Sequence, residues 1–274
     1  MSNLELLWFA HVMFPSKVLY SPTGAQVAYT NDDADNRISI LDANNGAKIQ
    51  LLRGHTRRIN NLTFAPDGTL ASGGDDKDVR IWEMGKRHSP LLRRLQGHTY
   101  VVYDVKYVPN GTSLASISER CTIFWNVATG VPITRLDACG FNCAFSPDSK
   151  YFVNIGAPGQ SRDRYLQVWV SSPSSPSSPY TYRLAHSEFI SGGRVPGCDS
   201  SSIPTFTSDS RTLVTCANDT LAIWNARTGQ KLETLPLVGM SLQSVSCSPS
   251  GEQIVVCHSK GIERLRLRDY VTQL

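Results

Sequence analysis

The side chains in this sequence able to do chemistry near neutral pH are its six histidines and seven cysteines. An imidazole beside a carboxylate can move a proton, and four converging thiolates or imidazoles can hold zinc. Neither arrangement completes itself here. Cys139 and Cys143 are spaced as a ligand pair, but no second pair follows. Cys121, Cys198, Cys216, Cys247 and Cys257 complete the set, and most of the seven lie in apolar runs such as Cys143-Ala144-Phe145. That is the place of a small core residue in a reducing compartment. His88 and His258 have no catalytic neighbour, and the chain holds no nucleophile–base motif and no phosphate loop. The reading is therefore of no catalytic residue, no metal and no cofactor. His11, His55 and His98 behave differently: each stands 11 residues before a proline, at Pro22, Pro66 and Pro109. Side chains set on such a ruler belong to a repeat.

The repeat also fixes the elements around them. A hydrophobic residue, a small residue and a turn recur as Tyr20-Ser21-Pro22, Phe64-Ala65-Pro66, Tyr107-Val108-Pro109, Phe145-Ser146-Pro147, Phe206-Thr207-Ser208 and Cys247-Ser248-Pro249. A second anchor follows each, at Leu41, Trp82, Trp125, Trp169, Trp224 and Leu265, with intervals of 41, 43, 44, 55 and 41 residues. Segments such as Val79-Arg80-Ile81-Trp82 alternate with period two between turn residues, as strands do. Asp42 to Gly46, Asn126 to Gly130 and Asn225 to Gly229 share one spacing and one terminal glycine, as hairpin ends would. No stretch sustains a helical period. A period in the low forties is the length of a four-stranded propeller blade.

Gly54-His55 and Gly97-His98 precede their first anchors, with Ala10-His11 and Ala185-His186 similar to them. The whole constellation resembles the WD40-repeat family, over about residues 4–267. The resemblance implies an all-β fold, a single β-propeller domain over residues 1–274 with six repeats visible and four-stranded antiparallel blades. It also implies a buried chain of Trp, Ser or Thr, His and Asp in each blade, because a buried indole N–H needs an acceptor. Unit two offers Trp82, Ser72, His55 and Asp76. Unit three offers Trp125, Ser116 and His98, with Glu119 in the acid's place. Unit five offers Trp224, Thr215, His186 and Asn218, and unit four keeps Trp169 and Asp163. These histidines are then structural. The sequence departs from the family in having no literal Trp-Asp pair, since Glu83, Asn126, Val170 and Asn225 follow the four tryptophans. Seven units are commonest in the family, and the last one here ends near Leu267 with its third strand. The apolar run at about residues 4–9 is expected to supply the fourth strand and close the ring.

A net charge of +4 and a pI near 8.7 are only mildly basic. The pairs Arg57-Arg58, Lys86-Arg87 and Arg93-Arg94 read as solvated surface, so nucleic acid is not the expected partner. The start lacks the basic segment of a signal peptide, and no apolar stretch approaches the ~18 residues of a membrane span. The expectation is an intracellular monomer, cytoplasmic or nuclear, that is not an enzyme. It would work as a scaffold or adaptor, binding protein partners on the top face of the propeller. In the family that face gathers the loops entering strand one and joining strands two and three. Three such loops are long here, at residues 32–35, 156–162 and 187–202. Position in the repeat selects Phe14, Arg58, Asn60, Asp75, Tyr103 and Arg162 as contact residues, with Arg and aromatics foremost. The alternative is a propeller enzyme or small-ligand binder using the central channel, which would need charged residues converging there. The Ser-Ser-Pro run at residues 171–179 is expected on the opposite face, as an extended loop open to phosphorylation at Ser172, Ser175 or Ser178.

Overall fold

Runs of β-branched and aromatic residues take extended backbone, and left-handed residues turn it. Gly24, Gly68 and Gly111 stand at φ of 71°, 89° and 74° in the turns after the first anchors, where a residue without Cβ costs least. The computed structural model describes residues 15–31, 36–85, 90–137, 140–156, 164–172, 181–191, 204–217, 220–236, 242–248, 253–258 and 261–266. Among them are six antiparallel sheets and no helix.

The first sheet is β1 (Pro15–Tyr20), β2 (Gln26–Asn31), β3 (Ile38–Asp42) and β4 (Lys48–Leu52). The second is β5 (Ile59–Phe64), β6 (Leu70–Gly74), β7 (Val79–Trp82) and β8 (Leu91–Leu95). The third is β9 (Val102–Tyr107), β10 (Ser113–Ser118), β11 (Thr122–Asn126) and β12 (Pro132–Leu136). The fourth is β13 (Asn142–Phe145), β14 (Tyr151–Gly156), β15 (Arg164–Ser172) and β16 (Thr181–Ser191). The fifth is β17 (Thr205–Phe206), β18 (Thr212–Ala217), β19 (Thr220–Asn225) and β20 (Lys231–Pro236). The sixth has three described strands, β21 (Leu242–Cys247), β22 (Gln253–His258) and β23 (Gly261–Arg266). In every sheet the strands neighbour one another in chain order. Six meanders in succession make a WD40-like propeller fold. The expected closing strand at residues 4–9 lies outside the described residues.

The chain divides into two compact units, residues 1–116 with 124–132, and residues 117–123 with 133–274. In the first, Ala28, Ile38 and Ile40 of sheet one pack on Ile59, Leu62, Leu70 and Trp82 of sheet two. In the second, Val153, Ile155, Leu166 and Val168 of sheet four pack on Leu213, Ala222 and Trp224 of sheet five. Sheet five then turns Val214, Cys216, Leu221 and Ile223 toward Val245, Ile254 and Val256 of sheet six. Successive side chains of a strand point to opposite faces, so one strand serves two cores.

One expected loop is shorter than its sequence implied. Residues 187–191 do not belong to a loop over 187–202. They continue β16, pairing Ser191 with Arg164 and Ser187 with Gln167. The lengthened β15 supplies hydrogen-bond partners that far, so the hairpin outruns those of the other units.

Candidate functional site

In sheet two, Trp82 faces Leu70 across β6 and β7, and Ser72 lies two residues along on the same face. Ser72 Oγ accepts the indole Nε1–H of Trp82 at 2.8 Å and meets His55 Nε2 at 2.7 Å. His55 Nδ1 lies 2.9 Å from both carboxylate oxygens of Asp76, and Oδ2 also accepts the Thr56 N–H at 3.1 Å. A carboxylate at Nδ1 sets the proton there and leaves Nε2 to accept from Ser72. The chain then has one direction: Trp82 donates to Ser72, Ser72 to His55, and His55 to Asp76. Burial alone would raise the Asp76 carboxyl. The hydrogen bond and electrostatic attraction of His55, with the N–H groups of Thr56 and Asp78, outweigh burial and hold it below its ordinary value.

A second acidic layer lies beside this chain, and the sequence pattern did not reveal it. Buried Asp78 meets Arg80 at 3.0 Å and Arg94 at 2.7 Å, and Arg80 also stands 3.5 Å from Asp76. A Cβ on Gly54 would lie 2.7 Å from an Arg80 guanidinium nitrogen and 3.0 Å from the Trp82 ring. That close approach accounts for the glycine preceding His55.

The other units repeat the hydroxyl and vary the rest. Trp125 donates to Ser116 at 2.7 Å, and Ser116 meets His98 Nε2 at 2.6 Å. Glu119, expected in the acid's place, is exposed. Trp224 donates to Thr215 at 2.8 Å. Trp169 donates to the buried Asn154 side-chain oxygen at 2.8 Å, and Asn154 donates to Gln167 at 3.1 Å. Asn154 was missed by type, although it stands where Ser72 does, two residues beyond the partner of its tryptophan. In sheets one and six, Leu41 and Leu265 carry no N–H. The same place holds Tyr29 and Val256, each two residues past the partner of the leucine.

His186 needs correcting. It is not in an entry loop that serves Trp224, because β16 runs on to Ser191 and pairs His186 with Val168. The ring packs against Gly229, where an added Cβ would come within 2.5 Å of it. Asp163 and Asn218, the expected acid-place residues of units four and five, lie outside the described residues.

Of the expected contact residues, Arg58, Asn60 and Asp75 meet where β5 begins and β6 ends. The register slips between Ile59 and Asn61, so Asn60 is a bulged residue. Ser16, the corresponding residue of sheet one, is bulged as well. A bulge re-aims its side chain. Asn60 Nδ2 donates to Asp75 Oδ1 at 2.7 Å and to the Val102 carbonyl at 3.0 Å. The Asp75 N–H in turn donates to the Arg58 carbonyl at 2.9 Å. Asn60 and Asp75 thus brace the rim on which Arg58 stands exposed. Tyr103 is half-buried on β9, one residue beyond Val102. Phe14 and Arg162 lie outside the described residues. Among the described residues, no three His, Cys, Asp or Glu side chains converge as metal ligands. No helix there is long and apolar enough to cross a membrane.

Blade-like meanders with a Trp–Ser–His chain define a propeller protein of the WD type. The family model "WD domain, G-beta repeat" matches residues 46–83 and 89–126, the two stretches holding Trp82 and Trp125. These two matches support a WD40-repeat family for the chain. No curated protein matches it. WD40 repeats generally mediate protein–protein interaction, and proteins built from them are typically non-enzymatic scaffolds.

Proposed function

We propose that this chain is a scaffold or adaptor that holds a protein partner at the edge where β5 enters sheet two and β6 leaves it. One observation carries the reading: an exposed arginine, Arg58, on a rim whose neighbours Asn60 and Asp75 are hydrogen-bonded to each other, with Asn60 also donating to the Val102 carbonyl. Beneath it lies the buried His55–Asp76 pair. A site whose supporting side chains are already fixed loses little entropy on binding. Tyr103 follows Val102, whose carbonyl accepts from Asn60, and supplies an aromatic side chain, and Phe14 and Arg162 are proposed to extend the same face. The reading includes a monomer in a single propeller domain, in a reducing intracellular setting. Cys121, Cys143, Cys216 and Cys247 are free thiols, which accords with such a setting.

The test is affinity capture read by mass spectrometry. Replacing Arg58, Tyr103 and Arg162 with Ala should weaken capture of the principal partner by about tenfold or more, about 1.4 kcal/mol. Arg58→Ala alone should leave the melting temperature in place, since exposed substitutions usually stay within about 0.5 kcal/mol, and any loss of stability in the triple variant falls to the half-buried Tyr103. Replacing Ser172, Ser175 and Ser178 with Ala is the control. If the control abolishes capture and the triple substitution does not, the binding face is the other one.

A further inference from the structure

The second compact unit carries a groove of about 490 Å³ that involves none of the contact residues proposed above. Its size falls in the range of ligand clefts, about 300–1,000 Å³. It is lined by three cations from three separate turns: Lys150 after β13, Arg211 after β17 and Arg227 after β19. Two carboxylates, Asp148 and Asp209, share the lining but serve their own turns. Asp148 Oδ1 accepts from Ser146 Oγ at 2.6 Å and from the Lys150 N–H at 3.1 Å. Asp209 Oδ1 accepts from Thr207 Oγ1 at 2.5 Å and from the Arg211 N–H at 2.9 Å. Lys150 reaches Asp148 at 3.2 Å and is otherwise largely exposed. Among the described residues neither Arg211 nor Arg227 meets a carboxylate, and both are exposed.

The repeat supplies an internal comparison. The place of Lys150 and Arg211, two residues past the turn acid, holds Ala25, Thr69 and Thr112 in the first three units. The place of Arg227, three residues past the second anchor, holds Asn44, Gly85 and Ala128. The first three units therefore do without cations in these places, whereas this groove collects three. The turn serines differ as well. Ser149 and Ser210 stand at φ of 61° and 62°, where the first three units have Gly24, Gly68 and Gly111. Ser210 Oγ accepts the Asp148 N–H at 3.1 Å and ties the two turns together. A glycine would take that backbone at less cost but could not make the tie.

We infer that this groove docks an acidic linear segment of a protein partner, one carrying several carboxylates in a row. Guanidinium groups pair with carboxylates in a two-pronged geometry. Cations drawn from three turns match a row of anions better than a single small one. The groove lies at the β13–β14 end of sheet four and shares no residue with the edge proposed above, so the two surfaces can fail independently.

The experiment uses the full chain and fluorescence polarisation of a labelled octapeptide of alternating Glu and Gly. Saturable binding is expected, with loss of affinity as salt rises. R211A/R227A should weaken it by about tenfold or more, while R53A/R57A, elsewhere on the surface, should bind as the parent does. R211E/R227E should lose the acidic peptide and gain an octapeptide of alternating Lys and Gly, a gain that misfolding cannot imitate. The inference is overturned if the parent does not bind the acidic peptide, or binds a Gln–Gly peptide equally. It is also overturned if R53A/R57A loses as much affinity as the groove variant. Displacement by inorganic phosphate at matching charge concentration would reassign the groove to a small anion. Tighter binding of single-stranded DNA, lost in R211A/R227A, would reassign it to nucleic acid.

Discussion

Replacing Ser72 with Ala deletes one oxygen and two buried hydrogen bonds together. Ser72 and Trp82 are 0% and 1% exposed and His55 is 7%, so water has little access to the groups left behind. The indole N–H loses its acceptor at 2.8 Å, and His55 Nε2 loses its donor at 2.7 Å. A buried polar group left unpaired costs about 1–3 kcal/mol, so the variant should lose about 2–6 kcal/mol. Against a typical domain stability of about 5–15 kcal/mol, that is a large fraction. Urea unfolding followed by far-UV circular dichroism measures the loss. A second substitution separates the indole from the imidazole: W82F keeps an aromatic ring and removes the N–H. If unpaired polar groups cause the loss, S72A should cost about 1 kcal/mol less or better in the W82F background. A cost below about 0.5 kcal/mol for S72A alone, or the same cost in both backgrounds, would refute the reasoning.

The remaining predictions concern acid, thiols and one glycine. Asp76 is held below its ordinary pKa when folded, so its contribution to stability is complete above the unfolded value of about 3.9 and is lost as pH falls through the lowered folded value. D76N should flatten that part of the acid-side fall in the urea midpoint, and an unchanged slope between about pH 5 and 2 would count against the His55–Asp76 pair. Burial and then the neighbouring Cys247 push the Cys216 thiol up to about 12, and burial pushes Cys247 to about 11. Iodoacetamide at about pH 8 should therefore modify both slowly until urea is added, and peptide mapping that finds either alkylated at once would contradict this. An added Cβ at Gly74 would stand 2.4 Å from the Arg58 carbonyl oxygen. G74A should cost about 1–3 kcal/mol as the β5–β6 edge is forced apart, and an unchanged melting temperature would show that the edge gives way freely.

Strands and second anchors were readable because period two and a spacing in the low forties are properties of the chain itself. Trp82, Trp125, Trp169 and Trp224 all lie in third strands of their sheets. What was not readable depended on pairing. His186 looked like an entry-loop histidine by its Ala-His pair, but β15 extends back to Arg164 and carries β16 past it. Asn154 is neither Ser nor Thr, and only the register of β14 against β15 reveals that an amide oxygen fills the same role. Asp78 and Arg94 are 16 residues apart and belong to no pattern along the chain, so their ion pair appears only once β7 and β8 are side by side.

The six units also vary in a way that one rule explains. An indole N–H and its acceptor stand or fall together: keeping the indole without an acceptor, or the hydroxyl without a donor, buries an unpaired group. Where the second anchor is Trp, the place two residues past its partner holds Ser72, Ser116, Asn154 or Thr215, and every one of these accepts the N–H. Where the anchor is Leu41 or Leu265, that place holds Tyr29 or Val256 instead. Val256 is fully buried with no polar atom to satisfy, and Tyr29 is half-buried, with its side chain open in part to water. In sheets one and six, then, the second anchor asks for no side-chain acceptor and none stands opposite it. In the two His slots whose contacts are described, the imidazole meets the hydroxyl that accepts the indole N–H. His55 and His98 have Ser72 and Ser116, and these are the two units that the family model recognises. The family model thus matches the two sheets in which Trp, Ser and His are joined, while sheets four and five keep the indole with its acceptor and sheets one and six carry Leu as the second anchor.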